Sequence, residues 1–133
     1  MNITRYHSLL PLVFSLALLG GVVLGSTGCS SVMVTKEDEG EVRLGELQVF
    51  VDHDFATVYK AAKAGMADYG LFQTKDEKKV IEAELEGRDR ADTLVTVSIK
   101  EVAKERTSIK IRFGITGDTV QSQKLFVAIK EHL

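Results

Sequence analysis

Few residues of this chain are of a type and spacing that could do chemistry. Asp52-His53-Asp54 offers oxygen and nitrogen donors to a metal ion, but consecutive residues converge poorly on one ion. Capping of a helix is the simpler role for this stretch, and His132 has no evident partner in the sequence. The glycine-rich stretch 114–118 lacks the lysine of a phosphate-binding loop, and Asp118 would repel an anion. We therefore predict no metal site, no cofactor and no enzymatic activity.

The only cysteine, Cys29, is suited to lipid attachment. One basic residue, Arg5, precedes an apolar run over 9–24, and the small residues 25–28 lead to the cysteine, as in an export signal. This leader resembles the signal peptide of a bacterial lipoprotein, in which the thiol receives a diacylglycerol and the chain is cut before the cysteine. Ser26 departs from that pattern, since leucine is usual three residues before the cysteine.

The leader also predicts how the chain is organised. Residues 1–28 are expected to be a lipoprotein-type signal peptide, residues 29–40 a lipidated N-terminus with a polar tether, and residues 41–133 a single periplasmic α+β domain. Ser30 resembles the sorting pattern of lipoproteins sent to the outer membrane. In the alternative, residues 8–28 remain in the inner membrane as a spanning helix, because about 20 apolar residues cross a bilayer.

The charge balance argues against nucleic acid as a partner. Arg5 is the one charged residue of the leader, so the processed chain would carry 16 of the 17 basic residues and all 19 acidic residues. A mildly acidic domain provides no electrostatic attraction for DNA or RNA.

Hydrophobic periodicity places the first two elements of the domain. Apolar residues from Val42 to Val51 alternate with polar ones, and a bulge at Gly45-Glu46 would correct a slip in that alternation. We interpret this segment as the first strand. From Phe55 onward, apolar residues recur every three or four positions, which predicts an amphipathic helix that Gly70 ends.

The second half of the domain is predicted to contain three or four strands and a last helix. Residues 76–87 have a helix-favouring composition, but their alternation and the clear strands over 95–100 and 108–113 favour a strand. A short run over 71–74 could add one more. The last helix is predicted over 119–132.

A chain reversal is predicted to start that last helix. Gly114 and Gly117 supply the turn and Asp118 is the candidate N-cap, with Gln121 in capping-box position. The complete set of elements predicts an α+β fold, in which an antiparallel sheet of four to five strands carries two helices on one face in the order β-α-β-β-β-α.

Three stretches resemble a known family. They are Gly45-Glu46-Leu47, Val58-Tyr59-Lys60-Ala61, and residues 109–118 with Ser122, which contain an R-x-G-x-x-G-D motif beginning at Arg112. They are similar to a family of small bacterial lipoproteins classified only as a domain of unknown function. The resemblance implies an exported, lipid-anchored α+β domain and carries no assigned activity, so no catalytic residue can be transferred from it.

The charged residues that alternate with apolar ones along the predicted strands are the remaining candidate site. Lys100, Lys110 and Arg112 fall on polar positions of two strands, and we expect them to form a partner-binding surface facing away from the core. The predicted function is a non-enzymatic accessory lipoprotein that binds an envelope protein. The alternative is a small-ligand module with a cleft between helices and sheet, where Tyr59 and Tyr69 would supply polar groups.

Overall fold

The structure of this chain is a computed structural model that describes residues 40–133. Cys29, the predicted signal peptide and nearly all of the predicted tether lie outside the described residues. The elements of the domain are β1 (Gly40–Arg43), β2 (Glu46–Val51), α1 (Phe55–Tyr69), β3 (Phe72–Lys78), β4 (Glu82–Arg88), β5 (Leu94–Ala103), β6 (Arg106–Phe113) and α2 (Thr119–Lys130).

The strands form one six-stranded antiparallel sheet in the spatial order β1-β2-β6-β5-β4-β3. β1 and β3 are therefore its two edges. The prediction of four to five strands in the order β-α-β-β-β-α is wrong, because residues 40–133 contain six strands in the order β-β-α-β-β-β-β-α. Two local features explain the difference.

The first feature is a tight turn where a bulge was predicted. Leu44 and Gly45 take positive φ angles of 49° and 77°, and Arg43 pairs directly with Glu46 across the turn. Positive φ at both central positions is the geometry of a two-residue hairpin whose twist matches that of its strands. The predicted first strand is therefore a hairpin, β1 and β2, and it precedes α1.

The second feature is the division of the predicted strand over 76–87. A turn over 79–81 separates β3 from β4, and Lys79 N donates to Glu82 O at 2.8 Å to close it. β3 extends back to Phe72 and is mostly exposed on both sides. An edge strand with polar residues on both faces gives no clean alternation, so the sequence pattern hides it.

Local capping explains where α1 begins and ends. Asp54 Oδ2 accepts a hydrogen bond from Thr57 Oγ1 at 2.6 Å, and Asp54 Oδ1 accepts one from Thr57 N at 3.0 Å. Both hydrogen bonds lower the pKa of Asp54 because they favour its carboxylate form. Gly70, at φ 87°, ends the helix in a left-handed cap, with its N–H donating to Ala67 O. The buried residues of α1 face β3, β4, β5 and β6.

The core lies between the two helices and one face of the sheet. α2 packs on β2 and β6 beside α1, and the strands contribute every second residue to this face. At the helix contact, a Cβ on Gly65 would lie 2.6 Å from Ile129 Cα, so only glycine permits this approach. The largest fully buried side chains are Phe126, Leu47, Met66, Leu85, Ile99, Ile109, Ile111, Leu125 and Ile129.

Candidate functional site

The sheet face without helices, here called the open face, carries most of the strand charges. It presents Glu46, Gln48, Lys75, Glu77, Glu82, Glu84, Glu86, Ser98, Lys100, Ser108, Lys110 and Arg112. A groove of about 440 Å³ crosses its middle and is lined by residues of β2, β3, β4, β5 and β6. This groove is the concave surface on which a site could be built.

The four carboxylates on the acidic side of the groove are paired with two lysines. Lys75 Nζ lies 2.6 Å from Glu84 Oε1, with Glu77 and Glu86 at 3.5 and 3.6 Å. The hydrogen bond to Glu84 raises the pKa of Lys75 above its ordinary value. At the neighbouring turn, Lys79 donates to Glu82 at 2.8 Å and lowers the pKa of that carboxyl. These carboxylates therefore have cations beside them before any partner arrives.

The two lysines on the other side of the groove are less engaged. Lys100 is exposed, lies between Glu82 and Ser108 in the strand register, and forms no ion pair within 4.0 Å among residues 40–133. Lys110 Nζ lies 3.6 Å from Glu46 Oε1, beyond hydrogen-bond length. Both ammonium groups are thus available to an acidic group placed in the groove.

Arg112, the third predicted partner-binding residue, is held differently. Its Nη2 donates to Leu44 O at 2.8 Å, across the β2–β6 pairing. Its Nε is buried and has no hydrogen-bond partner in the described domain. Arg112 is half-buried against the β1–β2 turn, so it positions that turn, while Lys100 and Lys110 face the groove.

The three predicted capping residues lie in the connection from β6 to α2, and one of them, Gly117, packs on the β1–β2 turn. Asp118 Oδ1 accepts from Gln121 N at 3.0 Å at the start of α2, while Gly114 and Gly117 have φ angles of 66° and 79°. A Cβ on Gly117 would lie 2.1 Å from Gly45 O. Within the R-x-G-x-x-G-D motif, Arg112 and Gly117 contact the β1–β2 turn, whereas Asp118 caps α2.

The remaining candidates from the sequence have local roles. Asp54 caps α1, His53 O accepts from Thr107 Oγ1 at 2.8 Å, and His132 Nε2 lies 2.6 Å from Asp68 Oδ2. Within residues 40–133 no three His, Cys, Asp or Glu side chains come together in a way that could hold a metal ion. Neither helix of the described domain is long and apolar enough to span a membrane.

Both tyrosines proposed for a ligand cleft are bonded within the domain. Tyr59 OH donates to Asp76 Oδ1 at 2.7 Å, and Asp76 Oδ2 also accepts from Lys63 Nζ at 2.6 Å. The Tyr69 hydroxyl donates to Gln121 Oε1. These bonds join α1 to β3 and to α2. Sequence reasoning missed the link through Asp76, because no local pattern relates a helix to the strand that follows it.

Comparison with known proteins places this domain in a family. Residues 12–132 match a family described as a protein of unknown function, DUF3568. The chain belongs to the DUF3568 family. No curated protein matches the chain. The DUF3568 match covers every helix and strand of the described domain, including α2. It assigns no activity, so a function must be argued from the open face itself.

Proposed function

We propose that this DUF3568 protein is a lipid-anchored accessory protein of the bacterial envelope that faces the periplasm and binds a protein partner without catalysing a reaction. The signal-like leader and the position of Cys29 after small residues support the anchor. An outer-membrane location is the primary proposal, and retention in the inner membrane through residues 8–28 is its alternative.

The groove on the open face is the observation that carries the binding proposal. Its acidic side chains have lysine partners, whereas Lys100 has none within 4.0 Å in the described part of the chain. A partner that presents a carboxylate above Lys100 and Lys110 would add ion pairs without disturbing the existing ones. The recognised surface is therefore an acidic segment of a protein.

The lining of the groove favours a protein over a small molecule. Pockets for small ligands are mostly apolar and enclosed, and they use few polar groups. This groove is open and lined by four glutamates and three lysines, namely Glu46, Glu77, Glu82, Glu84, Lys79, Lys100 and Lys110. Complementary charges of this kind increase association rates and select partners.

Site-specific photocrosslinking in living cells tests this proposal. A photoreactive amino acid at Ser98, on the groove lining, should give a discrete adduct with one envelope protein. The matched control is the same amino acid at Val127, which is 48% exposed on α2 at the helix side of the domain. We expect no such adduct from position 127.

Charge reversal decides whether the adduct depends on the lysines. Lys100→Glu combined with Lys110→Glu should reduce the Ser98 adduct about tenfold or more, since like charges across an interface cost several kcal/mol. Arg112 is left unchanged, because its reversal would also remove the bond to Leu44. Adducts of equal strength from both positions, or an adduct unaffected by the reversal, would contradict binding through the open face.

A further inference from the structure

Large apolar side chains are exposed at both ends of the sheet: Val80, Ile81 and Val102 at the end with the β3–β4 turn, and a larger set at the opposite end. We call this opposite end the loop end; it consists of the β1–β2 turn (44–45), the α1–β3 connection (70–71), the β4–β5 loop (89–93) and the β6–α2 loop (114–118) with the strand residues beside them. The exposed fractions are 91% for Leu44, 95% for Ile115, 69% for Phe72 and 38% for Leu94. Such clustering on a soluble domain indicates a contact surface.

These four residues follow one line across the sheet. Phe72 pairs with Arg88, and Arg88 pairs with Leu94. Gly114 N donates to Leu94 O at 2.7 Å, which brings the β6–α2 loop to the same place. The line continues to the β1–β2 turn, because a Cβ on Gly45 would lie 2.2 Å from Thr116 O. The apolar residues therefore extend from β3 to β2.

The two most exposed residues of the line are held on fixed backbone. Leu44 adopts a positive φ of 49°, which is unfavourable for a leucine, and Arg112 holds its carbonyl oxygen. Ile115 precedes the residues that pack backbone to backbone on Gly45. The hairpin accounts for the backbone of Leu44, but its side chain, which is 91% exposed, contributes little to the packing of the domain.

The chain between the predicted anchor and the domain selects the occupant. Only residues 30–39 separate Cys29 from Gly40. Ten residues reach at most about 33–36 Å, even when fully extended. β5, with its ten residues, is itself about 33 Å long. A domain on such a tether stays within its own height of the bilayer, so a protruding apolar end meets lipid constantly.

The shape of the loop end agrees with a lipid surface. Its apolar side chains come from two turns and from the first residues of β3 and β5, and none of the four lines the groove of the open face. Arg90 is exposed among them, where its guanidinium group would reach lipid phosphates while its stem covers apolar surface. Arg88 is exposed as well, but its Nη1 is paired with Asp92 Oδ1 at 3.3 Å. A deformable interface accepts separate projecting side chains, whereas a protein partner would need a matching socket for each.

We propose that the loop end of this domain rests on the phospholipid bilayer, with Leu44 and Ile115 inserted among the lipid headgroups. The proposal rests on the N-terminal anchor of the proposed function and goes beyond it by fixing the orientation of the domain. The strands then stand on the membrane and the open face points sideways, where an envelope protein can reach it.

Tryptophan fluorescence in vesicles tests this orientation, because the chain contains no tryptophan. The full lipidated chain carrying Ile115→Trp is reconstituted into phosphatidylethanolamine and phosphatidylglycerol vesicles with or without brominated acyl chains. We expect blue-shifted emission that brominated lipid quenches. The matched control is Val80→Trp, which replaces a side chain 89% exposed in the β3–β4 turn at the opposite end of the sheet. Its emission should remain unquenched.

A second variant tests the energetic role of Leu44. Adding Leu44→Asp to Ile115→Trp should lower the ratio of docked to undocked domain about tenfold or more, since burial of a leucine contributes roughly 1.5–3 kcal/mol. Emission at position 115 that is unquenched, or quenched equally at positions 80 and 115, would overturn the proposal. Blue-shifted but unquenched emission would mean that protein covers the loop end and would overturn it as well.

Vesicle flotation separates failure of this proposal from failure of the anchor. Wild type should float with vesicles, and Cys29→Ser should float less. If the two float equally poorly, the anchor is absent and both proposals fall. If wild type floats while Trp at position 115 stays unquenched, the orientation alone is refuted.

Discussion

The two faces of the sheet use the same strands for different purposes. On β6, Ile109, Ile111 and Phe113 are buried under the helices, while Lys110 and Arg112 alternate with them on the open face. Replacing residues of the covered face changes packing against two helices, whereas the lysines of the open face touch mainly water and other charges. Stability and recognition can therefore be altered separately, one residue apart on a single strand.

The largest expected difference comes from neighbouring residues on β6. Ile111 is fully buried, so Ile111→Ala should lower the free energy of unfolding of residues 40–133 by about 2–5 kcal/mol through lost burial and a cavity. Lys110→Ala, its matched control on the open face, should change this free energy by no more than about 0.5 kcal/mol. Denaturant melts of both variants measure the contrast, and equal losses would refute the division between the faces.

An intermediate loss of stability is expected at the start of α2, where the stabilising contact is a hydrogen bond and not apolar packing. Asp118 satisfies a free backbone N–H at the start of α2, so Asp118→Ala should cost about 0.5–2 kcal/mol of unfolding free energy. Asp118→Asn, which keeps an acceptor oxygen, should restore most of the loss. An unchanged denaturation midpoint in Asp118→Ala would show that polar residues at the loop end contribute no more to the unfolding free energy than those of the open face.

The smallest effect should appear in the pH dependence of stability. Hydrogen bonds from Lys63 and Tyr59 hold the pKa of Asp76 below its ordinary value. The stability linked to this shift is present above about pH 4, the ordinary aspartate pKa, and is lost as pH falls through the lower pKa of the folded state. Asp76→Asn should therefore destabilise the domain at pH 7 and change its relative stability little at pH 2.

Comparing unfolding midpoints of wild type and Asp76→Asn from pH 7 to pH 2 measures this link. The difference between the two proteins should shrink as the pH falls. A constant difference across this range would mean that the hydrogen bonds of Asp76 contribute without its charge. It would also show that the charged link between α1 and β3 behaves like the neutral contacts of the covered face.

Sequence reasoning succeeded where the signals are local. Asp54 and Gly70 mark the ends of α1 because capping depends on residues within one turn of each other. It failed at Leu44, since leucine rarely adopts positive φ and the irregularity at Gly45 was interpreted as a bulge within one strand. It also misdivided β3, whose first residues fall in the optional strand over 71–74 and whose last residues were joined to the strand over 76–87.

The sequence predicted only the part of the candidate site that follows from the alternation of polar and apolar residues along the strands. The phase of β5 and β6 places Lys100, Lys110 and Arg112 on one face, as the structure also shows. The bond from Arg112 to Leu44 spans 68 residues of chain and depends on the pairing of β2 with β6, which no local pattern encodes. The groove likewise arises from side chains of five strands.

The two edges of the sheet bear on how the domain behaves at high local concentration. Unpaired strand edges are templates for aggregation, and membrane tethering would crowd many copies into a thin layer. β1 has only four residues, and β3 carries Lys75, Asp76, Glu77 and Lys78 in succession. Charges on both sides of β3 would have to be dehydrated or brought together for a second copy to add a strand. The lack of alternation that hides this strand in the sequence therefore protects neighbouring copies from fusing into a continuous sheet.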